Sequence, residues 1–521
     1  MKICITTKYL TFPVNVQTTS KKVSLYEDGE WLFDFDCKLD MRNPNFTAYV
    51  DVSRFMGKTV ELTVSPEMTV DVGMADEMAL ENDGYEDLRP KIHFTVPNGW
   101  NNDPNGLIRY RDKYHMFYQY NPCSTEWGNM HWGHAVSEDL LHWEHLDISM
   151  FPDETGVMYS GCAIEDVKNV SPISKIVDRP MLVYYTAAGG KTIPSKGKFY
   201  DQRLAYSVDN GKTLIKYDGA PMLPTIEKGN RDPKVVWVEE MNRYVMVIYM
   251  IGHKYSLFSS EDLMEWKHFQ DLEIADDAEC PDIYPMVCDG EKLWVISGAS
   301  DIYLVGQFTE NGFVKLQSER RLTHSRVNYA AQSFSGMDDG RVVRIAWQRV
   351  QIPSCGFSQQ MSIPMEMNLE KRGEEYFLTA NPIREIACLY DQSRSFEGSV
   401  SETPVRFELG ENPADIKIQI QHEKNTSYRI LLFGVPLIIN FKDGIIQYKG
   451  IKMPFDHSLE TLDLRVIVDR CTIEVFANHG RYCFSEMNLC DFNLPYVEFS
   501  ANEHLKNLKV EGHTLKSIFP R

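Results

Sequence analysis

At 521 residues, 43% apolar, 12% aromatic and 25% charged, the chain has the composition of a folded protein rather than a disordered or fibrous one. At roughly 100–200 residues per domain it is too long for one core. Its 74 acidic and 54 basic residues leave a formal charge of −20, which repels a phosphate backbone and an anionic membrane surface, so nucleic acid and membrane are not expected partners.

The eleven cysteines are scattered and never spaced C-x-x-C, which argues against a disulfide framework and a zinc ribbon. The opening residues, broken by Lys8, carry neither a signal peptide nor a spanning run. A reducing cytoplasm is therefore the expected location. Helical periodicity is scarce, whereas short runs rich in Val, Ile, Tyr, Phe and Trp recur between turn residues, so the fold class is all-β.

In chain order, residues 1–88 hold near-alternating runs such as Trp31-Leu32-Phe33-Asp34-Phe35 and Thr59-Val60-Glu61-Leu62-Thr63-Val64, suited to a small antiparallel β domain. The acidic stretch 76–87, with Asn82-Asp83-Gly84, reads as a solvated linker. Within 89–388, Ser137-Glu138-Asp139-Leu140-Leu141-His142-Trp143 returns as Ser260-Glu261-Asp262-Leu263-Met264-Glu265-Trp266, with a weaker echo at Ser207-Val208-Asp209. A repeated turn among strands predicts a β-propeller, and about 300 residues at about 60 per blade gives five blades. Trp143 and Trp266, inside the repeats, read as blade packing. Residues 389–521 alternate cleanly in Ile416-Lys417-Ile418-Gln419-Ile420 and Leu464-Arg465-Val466-Ile467-Val468, with a hairpin at Lys442-Asp443-Gly444, which predicts a C-terminal β-sandwich.

Three polar islands interrupt the propeller segment: Trp100-Asn101-Asn102-Asp103-Pro104-Asn105-Gly106, Arg231-Asp232-Pro233 and Glu279-Cys280-Pro281-Asp282. Turn chemistry alone accounts for the first, taken singly. The inner strands of a propeller converge on one channel, however, so Asp103, Asp232 and Glu279 are expected to line a single funnel. Two carboxylates about 5–5.5 Å apart suffice for retaining glycoside hydrolysis. The nucleophile must stay ionised and the proton donor needs a raised pKa, and Arg231 is expected to hold Asp232 ionised.

Other signals lead elsewhere or nowhere. Gly189-Gly190-Lys191-Thr192 and Gly211-Lys212-Thr213 mimic the end of a P-loop, but Tyr185 and Tyr206 replace its first glycine. His131 and His134 have no evident third ligand and read as structural, and Cys280, with no adjacent His, reads as packing or tuning of Glu279. The sequons at Asn45 and Asn425 matter only for a secreted chain.

Taken together with His131-Trp132-Gly133-His134-Ala135 and Tyr159-Ser160-Gly161, the three islands resemble glycoside hydrolase family 32, the invertases, inulinases and levanases. The resemblance covers about residues 91–380, and more weakly the sandwich through Glu474-Val475-Phe476. It implies a five-bladed propeller followed by a β-sandwich, and residues 1–88 resemble an extra β domain of some bacterial levanases. It also implies Asp103 as nucleophile, Glu279 as acid/base and Asp232 as transition-state stabiliser, with Asn102, Gln119, Trp127, Ser160, Arg231 and Trp347 around the terminal fructose. No metal or organic cofactor is implied. The implied substrates are levan or inulin-type fructans attacked from the end, and possibly sucrose. Alternatives are a cytoplasmic invertase acting on sucrose, its phosphate or short fructo-oligosaccharides, a fructosyltransferase, or a non-catalytic fructan-binding module. Cys162, where many relatives carry Ser, and Ala346-Trp347-Gln348, in place of Gly-Trp-Met, depart from the family pattern.

Overall fold

The computed structural model describes residues 1–79, 88–352, 356–421, 426–490, 494, 496–503 and 505–519. Most of the acidic linker, Cys355 and the sequon residue Asn425 lie outside them. Among the described residues there is no α-helix, only short 3-10 turns such as Pro172–Lys175 and Arg384–Leu389, so the all-β expectation holds.

Five antiparallel sheets make the propeller. Their inner strands are Gly99–Tyr110, Val157–Glu165, Arg231–Val238, Asp282–Cys288 and Asn328–Ser333, and each touches the next until the fifth returns to the first. The ring is also closed by a strand graft: Phe357–Ser358 pairs in parallel with Gly99 and Trp100 of the first blade. Closure leaves no exposed inner edge.

The sequence repeat occupies the same place in blades one to three, between the third and fourth strands. Ser137, Ser207 and Ser260 each donate from the hydroxyl to the aspartate two residues on, at 3.1, 2.8 and 3.1 Å. Asp139 and Asp262 in turn accept the backbone N–H groups of the next turn, at 2.8 to 3.0 Å. Those turns need a left-handed residue, supplied by Leu140, Asn210 and Leu263. Trp143 and Trp266 are partly buried against the blade cores, as expected.

Two sheets spanning Lys2–Cys4 to Gly73–Ala75 precede the propeller and enclose a core that includes Phe12, Leu25, Phe33 and Val60. Two six-stranded sheets between Tyr390–Val400 and Leu505–Leu515 follow it as a sandwich around Ile416, Ile430, Val466 and Phe484. The sandwich is docked by a buried ion cluster. His93 Nδ1 lies 2.8 Å from Asp469 Oδ2, and its Nε2 faces Glu474 Oε2 at 3.6 Å.

A second buried cluster links blades three to five of the propeller. Lys234 Nζ approaches Asp282 Oδ1 at 3.3 Å and donates to the Ser333 carbonyl at 2.6 Å. Arg344 reaches Asp282 at 3.4 Å and Asp301 at 2.9 Å. These four charged side chains are almost wholly excluded from water and pair two against two, which lowers the cost of burying them. Through Lys234, Asp282 and Ser333 they tie together the inner strands of blades three, four and five.

Candidate active site

The carboxylates sit where the inner strands stop being regular. The ladders shift register between Asn101 and Pro104, Tyr159 and Gly161, Arg231 and Lys234, and Tyr329 and Gln332, so four of the five blades carry a bulge at one end of the channel. A bulge re-aims the side chains beside it. Asp232, inside one of these bulges, takes left-handed backbone at φ 65°, and Glu279 and Cys280, just ahead of the regular inner strand of the fourth blade, do so at 58° and 36°. Such conformations cost of the order of 1–3 kcal/mol each and persist only where the surroundings impose them. Gly161 allows the second blade to close up, since a Cβ there would lie 1.9 Å from the Tyr184 carbonyl oxygen.

These distortions bring the three predicted acids together. Asp103 Oδ2 and Asp232 Oδ2 each lie 3.5 Å from Cys280 Sγ, which confines the two oxygens to within twice that distance of each other. The Cys280 backbone N–H also donates to Asp232, at 3.1 Å. Glu279 joins them through Arg231, whose guanidinium donates to Glu279 Oε1 at 2.5 Å and stands 3.7 Å from Asp232 Oδ2. Tyr329 Oη donates to the other Glu279 oxygen at 2.7 Å.

The remaining predicted residues surround this group. Ser160 donates to Asp103 Oδ2 at 2.6 Å. Asn102 is buried and accepts the Trp100 indole N–H at 3.0 Å. Gln119, also buried, donates to the side-chain oxygen of Asn105 at 3.0 Å, and the Asn105 amide N–H₂ faces Ser160 Oγ at 3.3 Å. Trp347 packs edge-on to Trp100 and Tyr329 and donates to Gln359 Oε1 at 3.0 Å. Trp127 stands at the rim, 51% exposed, edge-on to Tyr159.

Electrostatics correct two expectations. Burial pushes Asp232 up to about 7, and Arg231 only opposes a rise to which the Glu279 and Asp103 charges add. Arg231 is the strongest influence favouring the Asp232 anion, but it does not outweigh burial. Burial also works against the Glu279 charge, but the hydrogen bonds from Tyr329 and Arg231 outweigh it and hold that carboxyl below its ordinary value. The expected proton donor is thus held as an anion by Tyr329 and Arg231. Asp103 is pushed up by burial, against the Ser160 and Asn102 hydrogen bonds. The Cys280 thiol, raised well above its ordinary value by burial and then by the neighbouring carboxylates, stays protonated and donates between two aspartates.

Sequence reasoning missed Tyr329 and Arg349, whose guanidinium lies 3.9 Å from the Tyr329 ring centre. Neither belongs to a polar island, so nothing local marks them. His131 and His134 are buried, and burial drives His131 down to about 3, which leaves it neutral. Its Nδ1 lies 2.5 Å from the Asn129 carbonyl, while His134 Nε2 faces His115 Nδ1 at 3.1 Å.

The profile described as "Glycosyl hydrolases family 32 N-terminal domain" matches residues 93–382, and "Glycosyl hydrolases family 32 C terminal" matches residues 437–511. A levanase of Bacillus subtilis is 29% identical over 492 residues, which cover 83% of this chain and 71% of the relative. The extracellular exo-inulinase inuE of Aspergillus niger is 30% identical over 510 residues, covering 83% of this chain and 95% of the relative. The crystal structure of exo-inulinase from Aspergillus awamori shares the fold with a TM-score of 0.75 at 23% identity, covering 85% of this chain and 100% of that one. With a profile matched over more than half its length and a 30% identical relative covered almost end to end, the chain belongs to glycosyl hydrolase family 32 and is a glycoside hydrolase.

Proposed function

We propose that the protein is a retaining β-fructofuranosidase that removes terminal fructose from levan or inulin-type fructans, with sucrose as a lesser substrate. The observation that carries this reading is the convergence of Asp103, Asp232 and Glu279 from three blades around the Cys280 thiol and the Arg231 guanidinium. Attack on a chain end is supported by the name of a 30% identical relative, an exo-inulinase. The names of the relatives, levanase and exo-inulinase, support the same substrate class.

In the first step Asp103 attacks C2 of the terminal fructofuranosyl unit. The bond from C2 to the leaving oxygen breaks, and Glu279 gives that oxygen its proton. In the second step Glu279 takes a proton from water, the water oxygen bonds to C2, and the bond to Asp103 breaks, so configuration is retained after two inversions. Asp232 accepts hydrogen bonds from the sugar hydroxyls, which strengthen as positive charge develops at C2. Because Arg231 and Tyr329 favour the Glu279 anion, turnover draws on the fraction of enzyme in which Glu279 carries the proton and Asp103 does not.

The test is to incubate the chain separately with sucrose, inulin and levan and to separate the products. Free fructose, with an equal amount of glucose from sucrose, is the expected outcome; a ladder of oligomers would refute attack from the end, and lengthened sugars would refute hydrolysis in favour of transfer. Asp103→Asn and Glu279→Gln are expected to cut turnover by about three orders of magnitude or more with folding intact, as when a covalent-catalysis partner is lost. Parent-like turnover in either variant would reject the assignment.

A further inference from the structure

The N-terminal sheets do more than pack beside the propeller. Their strand Glu30–Cys37 lies at a sheet edge, paired on one side only with Lys21–Glu27. The other side is taken by the propeller. The Asp36 backbone N–H donates to Asn129 Oδ1 at 2.7 Å, and Asn129 Nδ2 donates back to the Asp36 carbonyl at 2.8 Å, imitating one rung of a ladder. One residue beyond the strand, Lys38 pairs with Glu126 at 2.6 Å. Further back, the buried Asp34 carboxylate, fixed by Lys22 at 3.0 Å and the Trp31 indole N–H at 2.8 Å, accepts the backbone N–H of Ile193 at 2.9 Å.

One edge therefore grips two loops, 121–131 and 189–199. The first carries Trp127 and the second runs into Tyr200. The rings of Trp127, Tyr159 and Tyr200 form a continuous row, with centroids 5.9 and 5.3 Å apart. The row starts at the exposed Trp127, and its middle ring belongs to Tyr159, the residue before Ser160, the Asp103 partner. Aromatic faces on rigid side chains give large apolar contact at small entropic cost, which suits a sugar ring.

We propose that strand Glu30–Cys37 is a positioning element for this aromatic row, which receives the sugar rings behind the terminal fructose, so that the N-terminal sheets set the preference for long fructosyl chains over short ones. The proposal rests on the fructofuranosidase reading above. None of the gripping residues touches the reacting atoms.

The test uses the full chain. Lys38→Met with Asn129→Gly removes the grip on the Trp127 loop while keeping the left-handed backbone at position 129, where φ is 44°. Asp34→Ala releases the other loop, and Asp34→Asn, which keeps an acceptor oxygen, is its rescue. Sucrose and a long fructan are compared, with circular dichroism confirming the fold. For Lys38→Met/Asn129→Gly and for Asp34→Ala, the expected result is a KM for the long fructan raised about tenfold, because the row must then be ordered on binding, with kcat within about twofold. Sucrose kcat/KM should stay within about threefold, since a merely structural defect would lower both substrates together. Asp34→Asn should restore the parent KM. A parallel loss on sucrose and fructan, or no change on either, would overturn the proposal even if Asp34→Ala fails to fold, because the double variant stands alone. If the unmodified chain releases no fructose from any substrate, the functional reading falls first and takes this proposal with it.

Discussion

The protonation of Glu279 can be tested through Tyr329. Tyr329→Phe removes the 2.7 Å hydrogen bond that favours the Glu279 anion and leaves the Arg231 bond in place. A hydrogen bond to a charged group is worth about 1.5–3 kcal/mol. The Glu279 side chain is 36% exposed, so solvent screening brings the expected effect to the lower end, about 1.4 kcal/mol, or one pKa unit upward. Chemistry needs Glu279 protonated and Asp103 ionised. Below both pKa values the rate is governed by ionising Asp103, which the substitution does not touch. Above both it is governed by protonating Glu279, which becomes about tenfold easier. Whatever the order of the two titrations, the ratio of variant to parent kcat/KM should therefore climb about tenfold from the acid to the alkaline end of the profile. Fructose release from sucrose measured across that range gives the ratio directly. A ratio that is flat, or that falls with pH, would refute the claim that Tyr329 stabilises the anion of the proton donor.

Two further outcomes follow from the buried charges. Asp232→Asn keeps the shape of the pit and deletes a charge facing the developing cation, so kcat should fall by about 10²–10³ with a smaller change in KM; turnover within about tenfold of the parent would deny the stabilising role. His93, pushed up to about 9 by its hydrogen bond to Asp469 and the facing Glu474 carboxylate against the opposing effect of burial, is a protonated clamp between propeller and sandwich. A raised folded-state pKa gives stability that is complete below about 6.5 and lost as pH rises through about 9. His93→Gln should cost about 3 kcal/mol at pH 6 by stranding buried carboxylates, and the gap in melting temperature between parent and variant should close as pH passes 9. Melting curves that stay equally far apart from pH 6 to pH 10 would show that the His93 charge contributes nothing.

What could be read from the sequence was local. Asp103, Asp232 and Glu279 each sit in a short polar island bounded by apolar strand residues, and the Ser-x-Asp turn recurs because three blades solve the same turn with the same hydrogen bonds. What could not be read lies between positions far apart in the chain. Arg231 looks like a partner for its neighbour Asp232, yet a bulge aims its guanidinium at Glu279, 48 residues away. Tyr329 meets Glu279 across 50 residues, and Asp34 meets Ile193 across 159. Strand alternation gives the period of a sheet but not where its register slips, and such slips re-aim Asp103 and Asp232.

Strained backbone at the carboxylates calls for a rigid base. Left-handed backbone at Asp232, Glu279 and Cys280 is unfavourable by several kcal/mol in sum, and relaxing it would swing the carboxylates apart. Immediately below, Lys234 lies two residues from Asp232 and Asp282 three from Glu279, and these partners are locked to one another and to Arg344. Moving either strand end would break a buried ion pair, a cost of about 3–5 kcal/mol that is comparable to the strain relieved. The buried charges and the strained strand ends are thus one device: the first oppose the relaxation of a spacing that the backbone of the acids resists.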